Sequence, residues 1–339
     1  MSFNRVRIVE KEEILEVKGL TKHFPIKMGF FKTLLAKELP VVHAVDSISF
    51  EIKRKEIFGL AGESGCGKTT TGRLTLRLIE PTAGHVLFKG KDIFLLSENE
   101  IRKTRQKIQI IFQDPYESLN PRLSVYDAIA EPLRIQQVLE SEEAVGNRVK
   151  EVMEDMDLVP PEEYIYRFPH ELSGGQRQRV AIARAFALQP DYVVADEPVS
   201  MLDASTRSEV VSLILSLVKK FHVSFLYITH DIALTRYICD RIAVMYLGKI
   251  VEQGPTDEVV LKPFHPYTEA LIAAIPVPDP TARRSEIVIK GEVPSAINPP
   301  SGCRFHPRCP YAKEICKKEE PQLIELKKDR YVACHFPLE

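Results

Sequence analysis

The eight residues GESGCGKT at 62–69 constrain this chain more than any other feature. They fit G-x-x-x-x-G-K-[ST], a loop that needs a strand before it and a helix after it. Both are predicted: EIFGLA at 56–61 reads as a buried strand and TTGRLTLRLI at 70–79 as a helix. Gly62, Gly65 and Gly67 let backbone N–H groups curl around phosphate oxygens, with Glu63, Ser64 and Cys66 as intervening positions. Cys66 reads as a spacer, not a reactive thiol. The helix that opens at Thr69 and Thr70 brings partial positive charge to the same place. Lys68 has the reach for β- and γ-phosphates, and the Thr69 hydroxyl for Mg²⁺.

YVVADE at 192–197 supplies the complement: an apolar strand ending in two carboxylates. In a parallel sheet this end is the ligand-binding edge. Asp196 there is placed to hold Mg²⁺, and Glu197 to orient and deprotonate a water. The surrounding pattern supports such a sheet. A helical stretch runs to Leu188, YVVAD follows at 192–196, a helix spans Ala204 to Lys220, and SFLYIT fills 224–229. Strands alternating with helices of this length imply an α/β fold with a parallel sheet. Upstream, ILEVKGL (14–20) and SISFEIKRKEIFGLAG (47–62) read as strands, and EEAVGNRVKEVMEDMDL (142–158) as helical.

Composition narrows the function. Forty-six basic residues against 47 acidic ones leave a net charge of −1, which argues against a nucleic-acid-binding surface. No run approaches the roughly 20 apolar residues of a membrane span. The first residues, MSFNRVRIVEKEE, lack the apolar core of a secretory signal, so a soluble intracellular chain is expected.

LSGGQ at 172–176 adds a second N–H-rich helix start, at Ser173, Gly174, Gly175 and Gln176. One triphosphate hardly needs two such surfaces from one subunit, whereas a dimer in which each faces the other's phosphate loop does. With these motifs the chain resembles the ATP-binding cassette (ABC) ATPases over about residues 12–275. The resemblance implies an α/β cassette over 1–275: a RecA-like parallel core, an antiparallel β-subdomain, and a helical subdomain inserted at about 115–172. It implies that Gln113, in IIFQDP, links the Mg²⁺ and attacking-water region to that subdomain. It gives Ser200–Asp203 as the interface-crossing loop, with Met201 where alanine is frequent, and His230 as the γ-phosphate switch. It sets Phe24 under the adenine, against the alternative of a core phenylalanine. Soluble DNA-processing members carry hundreds of heptad-patterned residues between loop and signature; here 102 separate Thr69 from Leu172. A translation-associated member would carry two cassettes.

FQDPYESLNPR (112–122), HPYT (265–268) and the long insertion at 25–42 resemble the oligopeptide/dipeptide importer branch, specifically the second of its two ATPases. That implies ATP and Mg²⁺ as ligands and a paralogous ATPase partner, with a homodimer in isolation as the alternative. It also implies two membrane permeases, an extracytoplasmic binding protein, and a peripheral position on the cytoplasmic face of the membrane. Some members move oligosaccharides instead of peptides. Phe31, Leu34 and Leu35 within the insertion have the spacing of a short amphipathic helix or a locally packed loop.

PVPDPT at 276–281 reads as a linker, and ten of the 24 prolines lie between Pro276 and Pro337. The segment 276–339 holds too few apolar residues for a core of its own, so an irregular appendix is expected, remote from the ATP motifs. Its cysteines are spaced C-x₅-C-x₆-C-x₁₇-C, at Cys303, Cys309, Cys316 and Cys334. Thiolates suit zinc or iron–sulfur chemistry, and His306 and His335 lie beside them as zinc ligands in reserve. The resemblance implies a [4Fe–4S] cluster on the four cysteines; zinc, or no metal, are the alternatives.

Overall fold

The computed structural model describes residues 13–26, 40–275, 289 and 291–339. The amphipathic stretch around Phe31–Leu35 and the linker at 276–281 lie outside the described residues. Two sheets organise the rest. A four-stranded antiparallel sheet has the order β2-β1-β4-β5, built from β1 (Glu13–Pro25), β2 (Val41–Lys53), β4 (Ala83–Phe88) and β5 (Lys91–Asp92). The second has the order β11-β12-β10-β9-β3-β8-β7-β6. Its strands are β3 (Ile57–Ala61), β6 (Ile108–Ile111), β7 (Tyr192–Asp196), β8 (Ser224–Thr229), β9 (Arg241–Tyr246), β10 (Lys249–Pro255), β11 (Ile324–Lys327) and β12 (Arg330–Val332).

The run β6-β7-β8-β3-β9 is parallel, and β10, β12 and β11 extend it antiparallel. Both faces of the parallel part are covered, so its strands read as unbroken apolar runs. In β8, Phe225 and Tyr227 enter one core and Leu226 and Ile228 the other, the alternation a pleated strand imposes. The first core holds the helices α4 (Val125–Gln136), α5 (Glu142–Asp155), α6 (Gly174–Phe186) and α7 (Ala204–Phe221). The second lies under the antiparallel sheet. Shorter helices are α1 (Lys68–Thr75), α2 (Glu98–Thr104), α3 (Pro115–Ser118), α8 (Ile232–Ile238), α9 (Thr256–Leu261), α10 (Pro266–Ala273) and α11 (Glu314–Lys318).

Three boundaries differ from the sequence reading. The run 47–62 breaks at Lys55, whose left-handed φ of 59° turns the chain from β2 in one sheet to β3 in the other. The helix predicted over 70–79 spans Lys68–Thr75 and stops there because Arg77 adopts φ 49°. The Arg77 guanidinium then bonds the carbonyls of Ile93 and Leu96. Nor is the C-terminal segment wholly irregular: β12 pairs with β10, and Arg330 of β12 is buried against Glu252 of β10 at 2.7 Å. Among the described residues no helix is long and apolar enough to cross a membrane.

Candidate functional site

The loop from Gly62 to Lys68 joins the end of β3 to the start of α1. Two of its glycines, Gly62 and Gly67, are required by close approach. A Cβ on Gly67, at φ 111°, would stand 2.1 Å from the Ala44 carbonyl oxygen, and one on Gly62 would stand 2.2 Å from that of Met245. Lys68 is buried, and its ammonium donates to the carbonyls of Gly62 (2.8 Å) and Glu63 (3.0 Å). The Thr69 hydroxyl donates to Asp196 Oδ1 at 3.1 Å. Burial pushes the Asp196 carboxyl up, with the Thr69 hydrogen bond opposing it. Cys66 is buried beneath the loop and burial raises its thiol pKa, as suits a spacer.

Glu197 directly follows β7 in the left-handed region, φ 47°, with its N–H bonded to Ile228 O at 3.0 Å. Two groups meet its Oε2: Gln113 Nε2 donates to it at 3.0 Å, and His230 Nδ1 lies 3.0 Å away. Gln113 follows β6 and His230 follows β8, so three adjacent strands deliver the three side chains to one edge of the sheet. Ser64, Gly65, Lys68, Thr69, Thr70, Gln113, Glu197 and His230 line one open cleft of about 540 Å³, together with Val42, Ala44 and Ala296. A buried lysine, the Thr69 hydroxyl and an oriented carboxylate thus face one space, with Asp196 hydrogen-bonded behind Thr69. That set fits a triphosphate with its divalent cation and an attacking water.

Residues 172–176 do not line this cleft. Ser173 caps α6: its hydroxyl accepts from Gln176 N–H, and its own N–H donates to Gln176 Oε1 at 3.0 Å. Gly174 and Gly175 pack on the loop that starts α7; a Cβ on Gly175 would meet Thr206 at 2.4 Å. Asp203 caps α7, accepting from the N–H groups of Ser205 and Thr206. The Ser205 and Thr206 hydroxyls and amides hold its carboxyl well below the usual range. Met201 in the same loop is exposed. Phe24 lies opposite Val42 of the cleft wall in the β1–β2 register, is 39% exposed, and carries the Lys22 ammonium 5.0 Å over its ring. The exposure excludes a core role.

Cys303, Cys309, Cys316 and Cys334 surround a single small cavity, together with His306 and His335. Burial pushes the thiols of Cys303 and Cys334 up to about 11. Among the described residues, one trio of candidate ligand atoms lies mutually within 4.8 Å: His23, His43 and Asp46. No three of the four cysteine sulfurs are that close. In the histidine trio Arg304 already neutralises Asp46.

The expected remoteness of the C-terminal segment from the ATP motifs is overturned. Arg308 donates to both oxygens of Glu63 inside the phosphate loop, at 2.8 and 3.1 Å, and Ala296 lines the cleft. The contact spans 245 residues of chain, and no local pattern announces it. The signal present in the sequence was an arginine on the inner flank of each of two cysteines, in CRFHPRC at 303–309.

Family models agree with this geometry. An ABC transporter model matches residues 45–200, and a model described as oligopeptide/dipeptide transporter, C-terminal region, matches 251–316. The chain is 45% identical to the oligopeptide transport ATP-binding protein AppF of Bacillus subtilis, over 96% of this chain and 98% of that protein. The chain belongs to the ABC transporter family of ATP-binding proteins. This ABC ATPase is also 48% identical to a protein of Sinorhizobium fredii named "Probable peptide ABC transporter ATP-binding protein", over 96% of this chain and 90% of that one. It hydrolyses ATP. A solved ATP-binding cassette, dimeric in a post-hydrolysis state with ADP and phosphate, superposes with a TM-score of 0.61 at 30% identity, covering 71% of this chain and 98% of that one.

Proposed function

We propose that this ABC ATPase is the energy-coupling subunit of a membrane importer for peptides. The observation that carries the reading is an intact ATP cleft joined to a segment that matches the oligopeptide/dipeptide transporter C-terminal region. Gly62, Glu63, Ser64, Gly65, Cys66 and Gly67 form the phosphate loop. Lys68 leaves its resting carbonyls for the β- and γ-phosphates. Thr69, Gln113 and Asp196 would hold Mg²⁺. Bound Mg²⁺ neutralises charge on the β- and γ-phosphates. Gln113 and His230 aim the Glu197 carboxylate, and Glu197 takes the proton of the attacking water. Phe24 stacks under the adenine, and Thr70 extends the phosphate cradle.

Ser173, Gly174, Gly175, Gln176 and Asp203 act on the opposite subunit. The absence of the signature turn from its own cleft supports that arrangement, as does the dimeric form of the similar cassette. The partner in the assembly is a paralogous ATPase, with a homodimer forming in isolation. Two permeases receive the closing motion, and an extracytoplasmic binding protein delivers cargo to them. The chain then lies peripherally at the cytoplasmic face of the membrane, with 1–275 as the cassette and 276–339 as its extension.

The four cysteines hold a [4Fe–4S] cluster that clips the extension. A tetrahedral zinc–thiolate site, with bonds of ~2.3 Å, needs sulfurs roughly 3.8 Å apart. No three of these sulfurs lie mutually within 4.8 Å, which leaves room for iron and sulfide between the thiolates. Zinc is the alternative.

Vesicles reconstituted with the assembled transporter test the function. Labelled peptide should enter with ATP on the side of this subunit, and Lys68→Ala should abolish entry. Entry of an oligosaccharide in place of peptide would assign the cargo to sugars.

A further inference from the structure

The segment Cys303–Cys309, CRFHPRC, plugs into the underside of the phosphate loop. Phe305 is buried among the rings of Tyr246, Tyr267 and His265, at centroid distances of 5.3, 5.4 and 5.8 Å. Of the arginines on either side of it, Arg308 bonds the loop itself and Arg304 bonds the strand end beside it. Arg304 donates to Leu247 O and to Asp46, and the next N–H, of Gly248, donates to Cys66 O at 2.9 Å. Arg308 is 8% exposed, lies against Tyr246, and grips the Glu63 carboxylate with two nitrogens. Each remaining polar group of Glu63 is also engaged. Its N–H donates to Tyr267 Oη at 2.9 Å, and its carbonyl accepts from the Lys68 ammonium at 3.0 Å.

We propose that Arg308 is a positioning residue for ATP hydrolysis, acting through Glu63 on the phosphate loop and Lys68. A carboxylate in a phosphate-binding loop is an electrostatic liability. It repels the triphosphate, and it competes for the lysine that must reach the β- and γ-phosphates. The two-pronged guanidinium removes both problems, since it neutralises the charge and fixes its direction away from the cleft. Tyr267 and Arg308 hold the same residue by backbone and side chain, so Glu63 enters the loop in one register. The inference needs neither a peptide cargo nor a bound metal. It rests on Lys68 as the phosphate-binding lysine.

The test uses the assembled transporter and steady-state ATPase kinetics, with thermal midpoints recorded in parallel. Arg308→Gln leaves Glu63 charged and unpaired, so KM for ATP should rise tenfold or more with kcat within about threefold. Adding Glu63→Gln removes the stranded charge, and KM should fall at least about threefold below that of Arg308→Gln alone. The thermal midpoint should stay lowered in the double variant, because the ion pair is still gone. Recovery of KM without recovery of the midpoint is the signature that a merely structural fastening does not produce. An unchanged KM in Arg308→Gln, or a double variant as impaired as the single, overturns the inference. If Arg308→Gln does not fold, Arg308→Met keeps the packing on Tyr246 and carries the same comparison. Lys68→Ala keeps the two readings separable. ATP binding that survives Lys68→Ala refutes the phosphate-loop assignment itself, whereas an inactive Lys68→Ala beside an unchanged Arg308→Gln refutes only the role of Arg308.

Discussion

Glu197 is the residue on which the chemistry turns, and its backbone is where the strand rule breaks. A left-handed φ is costly for a glutamate, of the order of 1 kcal/mol, and the bond from its N–H to Ile228 O holds it there. The turn brings the carboxylate to Gln113 and His230. Losing a general base costs typically 10²–10⁴-fold, about 3–5 kcal/mol of barrier. Glu197→Gln should therefore bind ATP normally, lose most turnover, and accumulate as an ATP-bound closed dimer on size exclusion. Near-normal turnover would move the base elsewhere. His265 makes a different prediction. It is buried at the start of α10, its Nδ1 accepts from Tyr267 N–H at 3.0 Å, and burial lowers its pKa to about 3. Unfolded, it titrates near 6.5. Below that pH the unfolded chain binds a proton that the fold excludes, so the stability His265 contributes is complete above pH 6.5 and shrinks as pH falls towards 3. Between pH 7 and pH 5 that is a loss of about 2 kcal/mol. His265→Asn keeps a capping acceptor and removes the titration. Denaturant unfolding should show the wild type losing about 2 kcal/mol more than the variant over this range; equal slopes would mean that His265 protonates within the fold.

At the scale of elements, what the sequence revealed and what it hid divide along locality. The phosphate loop with its strand, the helices over Ala204–Phe221 and Glu142–Asp155, and the strands Tyr192–Asp196 and Ser224–Thr229 follow from patterns within a dozen residues. The break at Lys55 and the early end of α1 at Thr75 depend on single left-handed residues that carry no glycine to announce them. Strand β12 was hidden because its partner β10 lies about 80 residues upstream, and its buried arginine is answered by a glutamate on that strand. Helix α6 is the element with the sharpest functional consequence. Its capped N-terminus offers N–H groups that its own cleft does not use. Ser173→Arg places a long cation there. It should abolish ATP-driven association in light scattering while leaving ATP affinity of the isolated subunit within about threefold of wild type, because the cleft residues are untouched. A fall in affinity as deep as that of Lys68→Ala would assign the signature to the chain's own site.

For the whole molecule, the decisive fact is that the C-terminal segment is built into the cassette. β12 extends the large sheet, Phe305 completes an apolar cluster with Tyr246 and Tyr267, and Arg308 reaches the phosphate loop. Reading 276–339 as a remote appendix followed from its position beyond the last ATP motif, and three-dimensional closure reverses it. The metal prediction therefore acquires a second readout. Anaerobically purified protein should contain iron with acid-labile sulfide and a broad absorbance near about 400 nm; stoichiometric zinc would support the other thiolate site, and neither metal would reject both. Cys316 is the most deeply buried of the four cysteine residues. Cys316→Ser should release the metal and make residues 291–339 accessible to protease. Cys309 directly follows Arg308, so loosening the cysteine site loosens the grip on Glu63. ATP affinity should then fall about tenfold, about 1.4 kcal/mol, as the released Glu63 carboxylate repels the triphosphate. Titration of fluorescent ATP into both proteins measures it. Wild-type affinity after metal loss would mean that Phe305 and the β10–β12 pairing alone hold Arg308 in place.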